Sequence, residues 1–183
     1  MDKSYSFFFT GLSGSGKTTI TRALEKKLLA WGERIVVLDG DSLREGLNSD
    51  LGFTEADRFE NIRRAAEVAR LFQNAGFIVL NSFIAPKQMM RDLAREKAVP
   101  ESFYEIYVKA DVAVCEGRDP KGLYDQARNN HTSDFTGISA DYEPPDNPGL
   151  VLDTENCTVD ECVTKIINFI DENILSGGKN ATN

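Results

Sequence analysis

The sequence predicts an α/β fold, a mostly parallel β-sheet flanked by helices on both faces in a three-layer sandwich. Two observations carry that expectation. Apolar runs of strand length, Phe7-Phe8-Phe9, Ile35-Val36-Val37-Leu38 and Phe77-Ile78-Val79-Leu80, alternate with longer stretches of helical character. Strands that are apolar on both sides belong to a parallel sheet covered by crossover helices. The second observation is Gly11-Leu12-Ser13-Gly14-Ser15-Gly16-Lys17-Thr18, which joins the first run to the first helical stretch. Its glycines, lysine and terminal hydroxyl stand at the offsets of a phosphate-binding loop that feeds a helix N-terminus.

The chemistry explains that spacing. Glycines at 11, 14 and 16 remove side chains where the backbone curls tightly enough for successive N–H groups to converge on a phosphate. Lys17 is then placed to reach the β- and γ-phosphates of a nucleotide, and the Thr18 hydroxyl to ligate magnesium.

The elements follow in order. A strand over 6–10 leads through the loop into a helix over 19–31, whose apolar stripe is Leu24, Leu28 and Trp31 and whose stop is Gly32. The second strand, 35–38, ends in Asp39-Gly40-Asp41. Carboxylates there lie at the carboxyl edge where open α/β sheets bind ligands, so Asp41 is a candidate general base or metal contact. The plainer alternative is that Asp39 or Asp41 caps the next helix. Residues 42–52 read as a short helix or loop. Thr54 or Asp57 then caps a helix reaching about Asn74, marked by Ile62, Ala66, Ala69 and Phe72 or Gln73, and ended by Gly76. Arg58 and Asn61 share one face near its start and can reach one ligand together; a solvated surface is the plainer reading of Arg58, Arg63 and Arg64.

The third strand, 77–80, is followed at the same edge by Asn81-Ser82-Phe83-Ile84-Ala85-Pro86. If that segment is extended, alternation puts Ser82 and Ala85 on opposite faces. A helix over 87–97 leads to a fourth strand, 103–108. The stretch over about 116–142 is polar, carries glycines and separated cations, and has the composition of a mobile lid over phosphates. A short last strand, 150–152, precedes a closing helix over 159–174 with Val163, Ile166, Ile167 and Ile170 inward. Residues 1–175 thus read as one domain, and 176–183 as a disordered tail.

Composition narrows the partners. The chain's 183 residues suffice for one core without disulfides or a structural metal. Its 21 Lys and Arg against 29 Asp and Glu disfavour a general affinity for nucleic acid or anionic membranes. An anionic substrate must therefore be held by local cations. Cys115, Cys157 and Cys162 are an odd set without metal-type spacing and read as reduced thiols. The N-terminal stretch lacks a signal-peptide or membrane-span pattern, so the expected location is cytoplasmic.

Taken together, Gly11-Leu12-Ser13-Gly14-Ser15-Gly16-Lys17-Thr18-Thr19, Leu38-Asp39-Gly40-Asp41, DLGFTEADRFENIRR from Asp50, Phe83-Ile84-Ala85-Pro86, RDPKGLYDQAR from Arg118 and FTGI from Phe135 give the chain its family resemblance. In this order and spacing they resemble the adenylylsulfate kinase family over nearly the whole chain. The resemblance implies a P-loop kinase fold, ATP and Mg²⁺ as cofactors, and commonly a homodimer. The implied reaction is phosphorylation of the 3′-hydroxyl of adenosine 5′-phosphosulfate, by direct in-line transfer. It assigns catalysis to Lys17 and Asp41, and Mg²⁺ to Thr18. ATP falls to Gly11, Ser13, Gly14, Ser15, Gly16, Lys17, Thr18 and Thr19, with Arg118 and Arg128 of the lid over the leaving group. The acceptor falls to Asp41, Arg44, Phe53, Arg58, Asn61, Ile84, Ala85, Lys121, Leu123 and Phe135.

The assignment is physically coherent. Arg44, Arg58 and Lys121 would supply fixed cations to a phosphosulfate, and Phe53 and Phe135 would sandwich adenine. By themselves both phenylalanines read as core residues. The chain departs from the family pattern in several places. Ten residues precede Gly11, where relatives often carry a longer extension. Phe8 stands where a tryptophan is usual, Ala85 where a serine is common, and Asn129-Asn130-His131 where a Gly-Glu pair is common. Other readings are the same 3′-kinase chemistry on a different nucleotide diphosphate-like acceptor, and a nucleotide-binding regulator without transferase activity. Intact Lys17, Thr18 and Asp41 speak against the regulator.

Overall fold

A computed structural model describes residues 4–129 and 135–175. The expected tail over 176–183 and the lid residues Asn130 and His131 lie outside the described residues. Five strands, β1 (Ser6–Thr10), β2 (Ile35–Asp39), β3 (Ile78–Ser82), β4 (Phe103–Lys109) and β5 (Leu150–Asp153), form one sheet in the order β2-β3-β1-β4-β5. Every pairing is parallel. All strand carboxyl ends therefore meet at one edge.

The helices are α1 (Lys17–Ala30), α2 (Gly40–Glu45), α3 (Glu55–Asn74), α4 (Gln88–Lys97), α5 (Val112–Arg118), α6 (Leu123–Arg128) and α7 (Val159–Ile170), with a π-helical turn at Asp171–Leu175. The alternation within β1 explains the three layers. Phe7 and Phe9 pack on one face of the sheet with Ile20, Leu24 and Leu28 of α1 and Val163 and Ile166 of α7. Phe8 points the other way, into Ile62, Ala65, Ala66 and Ala69 of α3 and Met90 and Ala94 of α4. A third cluster of Leu12, Ala110, Cys115, Tyr124, Ala127 and Phe135 lies beneath α5 and α6. Cys115, Cys157 and Cys162 are all free.

Several local expectations shift. Helix α1 starts at Lys17 rather than Thr19, and Trp31 is its C-cap, 53% exposed. The buried stripe is Ile20, Leu24 and Leu28, one turn earlier, because Gly32 at φ 85 turns the chain outward before Trp31 can pack. Strand β3 runs to Ser82, two residues beyond its apolar core, since Asn81 and Ser82 pair with Leu38 and Asp39. Thr54 is the cap of α3, accepting from the Asp57 N–H. The closing helix leaves α geometry after Ile170.

The segment after β3 is not extended. Ala85 adopts φ 43, a left-handed conformation that costs a non-glycine residue of order 1–3 kcal/mol and persists only where the surroundings hold it. Ser82 and Ala85 consequently line the same cleft instead of facing opposite ways.

Candidate active site

The loop after β1 is shaped by contact with its neighbours. A Cβ at Gly11 would stand 2.3 Å from the Val108 carbonyl oxygen, and one at Gly14 would stand 2.7 Å from that of Cys115. Glycine is thus required by β4 and α5 as well as by the turn. Gly16, at φ 99, is the left-handed N-cap of α1, so the loop opens directly onto a helix N-terminus. Its carbonyls are tied down from outside: Thr154, just past β5, donates to Ser15 O at 2.9 Å, and Tyr124 of α6 donates to Ser13 O at 3.0 Å.

Within this frame Lys17 is buried and donates from Nζ to Gly11 O at 2.8 Å and Leu12 O at 2.7 Å. Burial pushes its pKa down from the usual lysine value to about 8, with Cys115, Asp39 and Asp41 pulling the other way. Thr18 Oγ1 donates to Asp39 Oδ2 at 2.9 Å, while Asp39 Oδ1 accepts from the Asp41 N–H at 3.0 Å. The question of which aspartate caps α2 is thereby resolved. Asp39 caps and binds Thr18, leaving the Asp41 side chain free to face the cleft.

A single cleft of about 1130 Å³ runs along the strand edge. One end holds Ser13, Gly14, Gly16, Lys17, Thr18 and Thr19 beside Arg118, Thr154, Cys157, Thr158 and Val159. The other holds Arg44, Phe53, Arg58, Asn61, Ile84, Ala85, Leu123 and Phe135, with Asp41 and Lys121 also in its lining. Lys121 and Asp41 form an ion pair across the cleft, joining the segment between α5 and α6 to the first turn of α2.

Two of the cations in that second group are organised around one ring. The Arg44 guanidinium lies 4.6 Å and that of Arg58 5.8 Å from the centre of Phe53. Arg44 also donates to Leu51 O and Gly52 O, and Arg58 to Phe53 O and Thr136 Oγ1. Phe53 is 57% exposed, so it is not the core residue that its apolar character suggested. It stands out because its backbone leads into the α3 cap while its ring carries the two guanidiniums. Phe135 is buried, edge-on to Tyr124 at 4.9 Å, and still reaches the cleft. Asn61 accepts from the buried Asn48 side chain at 2.8 Å.

Three sequence-assigned residues lie outside the lining. Gly11 and Ser15 shape the loop from beneath, Ser15 being fully buried. Arg128 is a correction to the lid assignment. It pairs with Glu116 at 2.9 and 3.0 Å, on the outer side of α6 and away from the cleft. Arg118 does reach the loop, donating to Gly14 O at 3.5 Å as well as to Thr154 Oγ1 and Thr154 O. In turn, sequence reasoning missed the Thr18 contact of Asp39, and it missed Thr154 and the Cys157–Val159 rim. Their position beyond the carboxyl end of a strand, on the same edge as Asp41, is the one signal that points to them.

A phosphate-loop strand-turn-helix, with cations and a carboxylate lining the same cleft, on a parallel sheet, define a P-loop kinase. The family model described as Adenylylsulphate kinase matches residues 3–153. An adenylyl-sulfate kinase of Geotalea uraniireducens is 53% identical over 94% of this chain and 83% of its own length, and one of Bacillus velezensis is 51% identical over 92% and 85%. The solved APS kinase of Mycobacterium tuberculosis in complex with AMPPNP and APS superposes with a TM-score of 0.88 at 42% identity, covering 92% of this chain and 98% of that one. The chain belongs to the adenylylsulphate kinase family. Among the described residues no helix is long and apolar enough to cross a membrane.

Proposed function

We propose that the protein transfers the γ-phosphoryl group of ATP to the 3′-hydroxyl of adenosine 5′-phosphosulfate, giving 3′-phosphoadenosine 5′-phosphosulfate and ADP. The observation that carries this reading is one continuous cleft with a phosphate loop at one end, a cation-and-phenylalanine pocket at the other, and Asp41 between them. The M. tuberculosis relative, described with AMPPNP and APS bound, supports the same pair of ligands.

In this reading the loop from Ser13 to Thr19 holds the ATP phosphates, with Gly11 and Ser15 keeping its shape and Arg118 beside it. Lys17 leaves the Gly11 and Leu12 carbonyls for the β- and γ-oxygens, where charge develops. Arg44, Arg58 and Lys121 hold the phosphosulfate, Phe53 and Phe135 grip the adenine, and Asn61, Ile84, Ala85 and Leu123 complete the pocket. Asp41 releases Lys121 to the anion and accepts or orients the attacking hydroxyl proton. Thr18 Oγ1 and Asp39 Oδ2, 2.9 Å apart, are two hard oxygen donors. That set fits Mg²⁺, which takes few protein oxygens and fills its shell from phosphate and water. Once bound, Mg²⁺ would neutralise the β- and γ-phosphate charge.

Ala85 offers no nucleophile, and in this reading the phosphoryl group passes directly from ATP to the acceptor hydroxyl. A coupled ADP-release assay over nucleoside 5′-phosphosulfates and diphosphate analogues is expected to favour adenosine 5′-phosphosulfate. With γ-labelled ATP and no acceptor the chain should stay unlabelled. Acid-stable label on Ser82, which also lines the cleft, chasing into product would overturn direct transfer. We place the enzyme in the cytoplasm as a homodimer; the assembly rests on the family resemblance, and light scattering on the purified chain tests it.

The aromatic grip makes its own prediction. Phe53→Ala and Phe135→Ala are each expected to weaken acceptor binding by roughly 1–3 kcal/mol with little change in ATP affinity. Phe53 is the cleaner test, because its exposed ring contributes little to the core. Calorimetry showing equal losses for both nucleotides would remove the grip.

A further inference from the structure

The acceptor wall at Ile84, Ala85 and Pro86 is held by its backbone. Three successive carbonyls are taken by three separate parts of the chain: Ile84 O accepts from Thr10 Oγ1 at 2.6 Å, Ala85 O from an Arg91 terminal nitrogen at 2.9 Å, and Pro86 O from the Glu143 N–H at 2.8 Å. The middle one is the residue at φ 43, a conformation that an alanine keeps only under constraint. Arg91, on α4, is 0% exposed. Its other terminal nitrogen donates to Gln88 Oε1 at 2.5 Å, and its Nε stands 2.9 Å from Oε1 of Glu105 on β4, in ionic contact off the line of a hydrogen bond. Glu105 is itself 3% exposed, and its second oxygen accepts from Arg95 at 3.0 Å.

A guanidinium and a carboxylate buried together gain little over an apolar pair of similar volume, so packing alone does not explain them. Neither lines the cleft. What the pair does provide is a rigid donor aimed at the one carbonyl that fixes Ala85. We infer that Arg91, angled by Glu105, is a positioning residue for the acceptor. It sets the left-handed turn at Ala85 and thereby the wall against which the acceptor nucleotide is seated. The inference rests on the proposed reading of this pocket as the acceptor site.

The test is steady-state kinetics with both substrates. The double variant Arg91→Met/Glu105→Gln leaves no buried charge unpaired, since Arg95, which loses its ionic partner, is half exposed, and it is expected to raise the KM for adenosine 5′-phosphosulfate about tenfold or more, since small misplacements at a reacting centre are costly. KM for ATP should stay within about twofold, because the loop after β1 does not contact Arg91. Adding Ala85→Gly, which adopts a positive φ without strain, should recover about threefold or more of the lost acceptor affinity. A merely structural pair would move both KM values together, or only the thermal midpoint, and either result overturns the inference. If the double variant does not fold, Arg91→Lys keeps the charge opposite Glu105 while losing the forked geometry, and an unchanged acceptor KM in that variant overturns it equally. A wild-type chain releasing no ADP with this acceptor overturns the underlying reading instead, a result distinguishable from normal wild-type turnover with unselective variants.

Discussion

Replacing Lys17 by alanine is expected to lower turnover by a factor on the order of 10²–10³ while leaving the fold intact. Its ammonium is buried against two loop carbonyls and makes no contact with the apolar cores, so its loss removes a cation from the phosphate site and not from the packing. A variant keeping more than about half of wild-type turnover would contradict the assignment. The depressed pKa adds a pH dependence. Lys17 titrates near pH 8 in the folded chain, below its unfolded value of 10.5. Between those values the unfolded chain binds more protons, so this group's contribution to stability rises with pH across that window and is least favourable below it. Function runs the other way. Phosphate binding requires the protonated amine, so ATP affinity should fall as pH rises through about 8. Calorimetry in buffers of different ionisation enthalpy should show proton uptake on ATP binding above that pH. Lys17→Met should bind ATP weakly and without this uptake.

Asp41→Asn is expected to lower turnover by roughly 10²–10⁴, the range for loss of a positioned general base. The amide keeps the shape and can still accept a hydrogen bond, but it neither attracts the hydroxyl proton nor pairs with Lys121. Binding should change little at the ATP end, because Asp39 and not Asp41 contacts Thr18. The acceptor should bind as well or slightly better, since Lys121 no longer has to leave a carboxylate. Single-turnover mixing with equilibrium binding separates the two effects; a loss confined to affinity would make Asp41 a substrate contact only.

Much of this arrangement was legible in the sequence, for reasons that differ by element. The strands are visible because Phe7 to Phe9 and Ile78 to Leu80 are apolar on both faces, which only a doubly covered sheet requires. The loop is visible because a Cβ at position 11 or 14 would stand within 3 Å of a neighbouring backbone carbonyl, so both must be glycine. Phe53 was harder: its exposure follows from a stack of two guanidiniums that no periodicity encodes. Arg128 was assigned to the phosphates by its place in the lid, yet Glu116, twelve residues earlier on α5, lies close enough to claim it. Ser82 and Ala85 were put on opposite faces by strand alternation, and the turn at Ala85 cancels that rule. Thr154 carries no motif at all; only the topology brings β5 beside β4 and so beside the loop.

The sheet order has a bearing on how such an enzyme can change its substrate. The phosphate loop leaves β1 and the acceptor wall leaves β3, and these strands are direct neighbours, with Phe9 opposite Ser82 and the Phe83 N–H bonded to Phe9 O at 3.1 Å. Donor and acceptor platforms are therefore spaced by one rung of a hydrogen-bonded ladder, about 4.8 Å, which side-chain replacement around either pocket does not alter. In the proposed reading most of the residues that recognise the acceptor sit beyond that rung, Arg44 on α2, Arg58 and Asn61 on α3, Lys121 between α5 and α6, and Phe53 and Phe135 in turns. Recognition can drift among nucleotide-like acceptors by exchange of those residues while the reach of the phosphoryl group stays constant, a division that separates the evolvable part of the protein from its ruler.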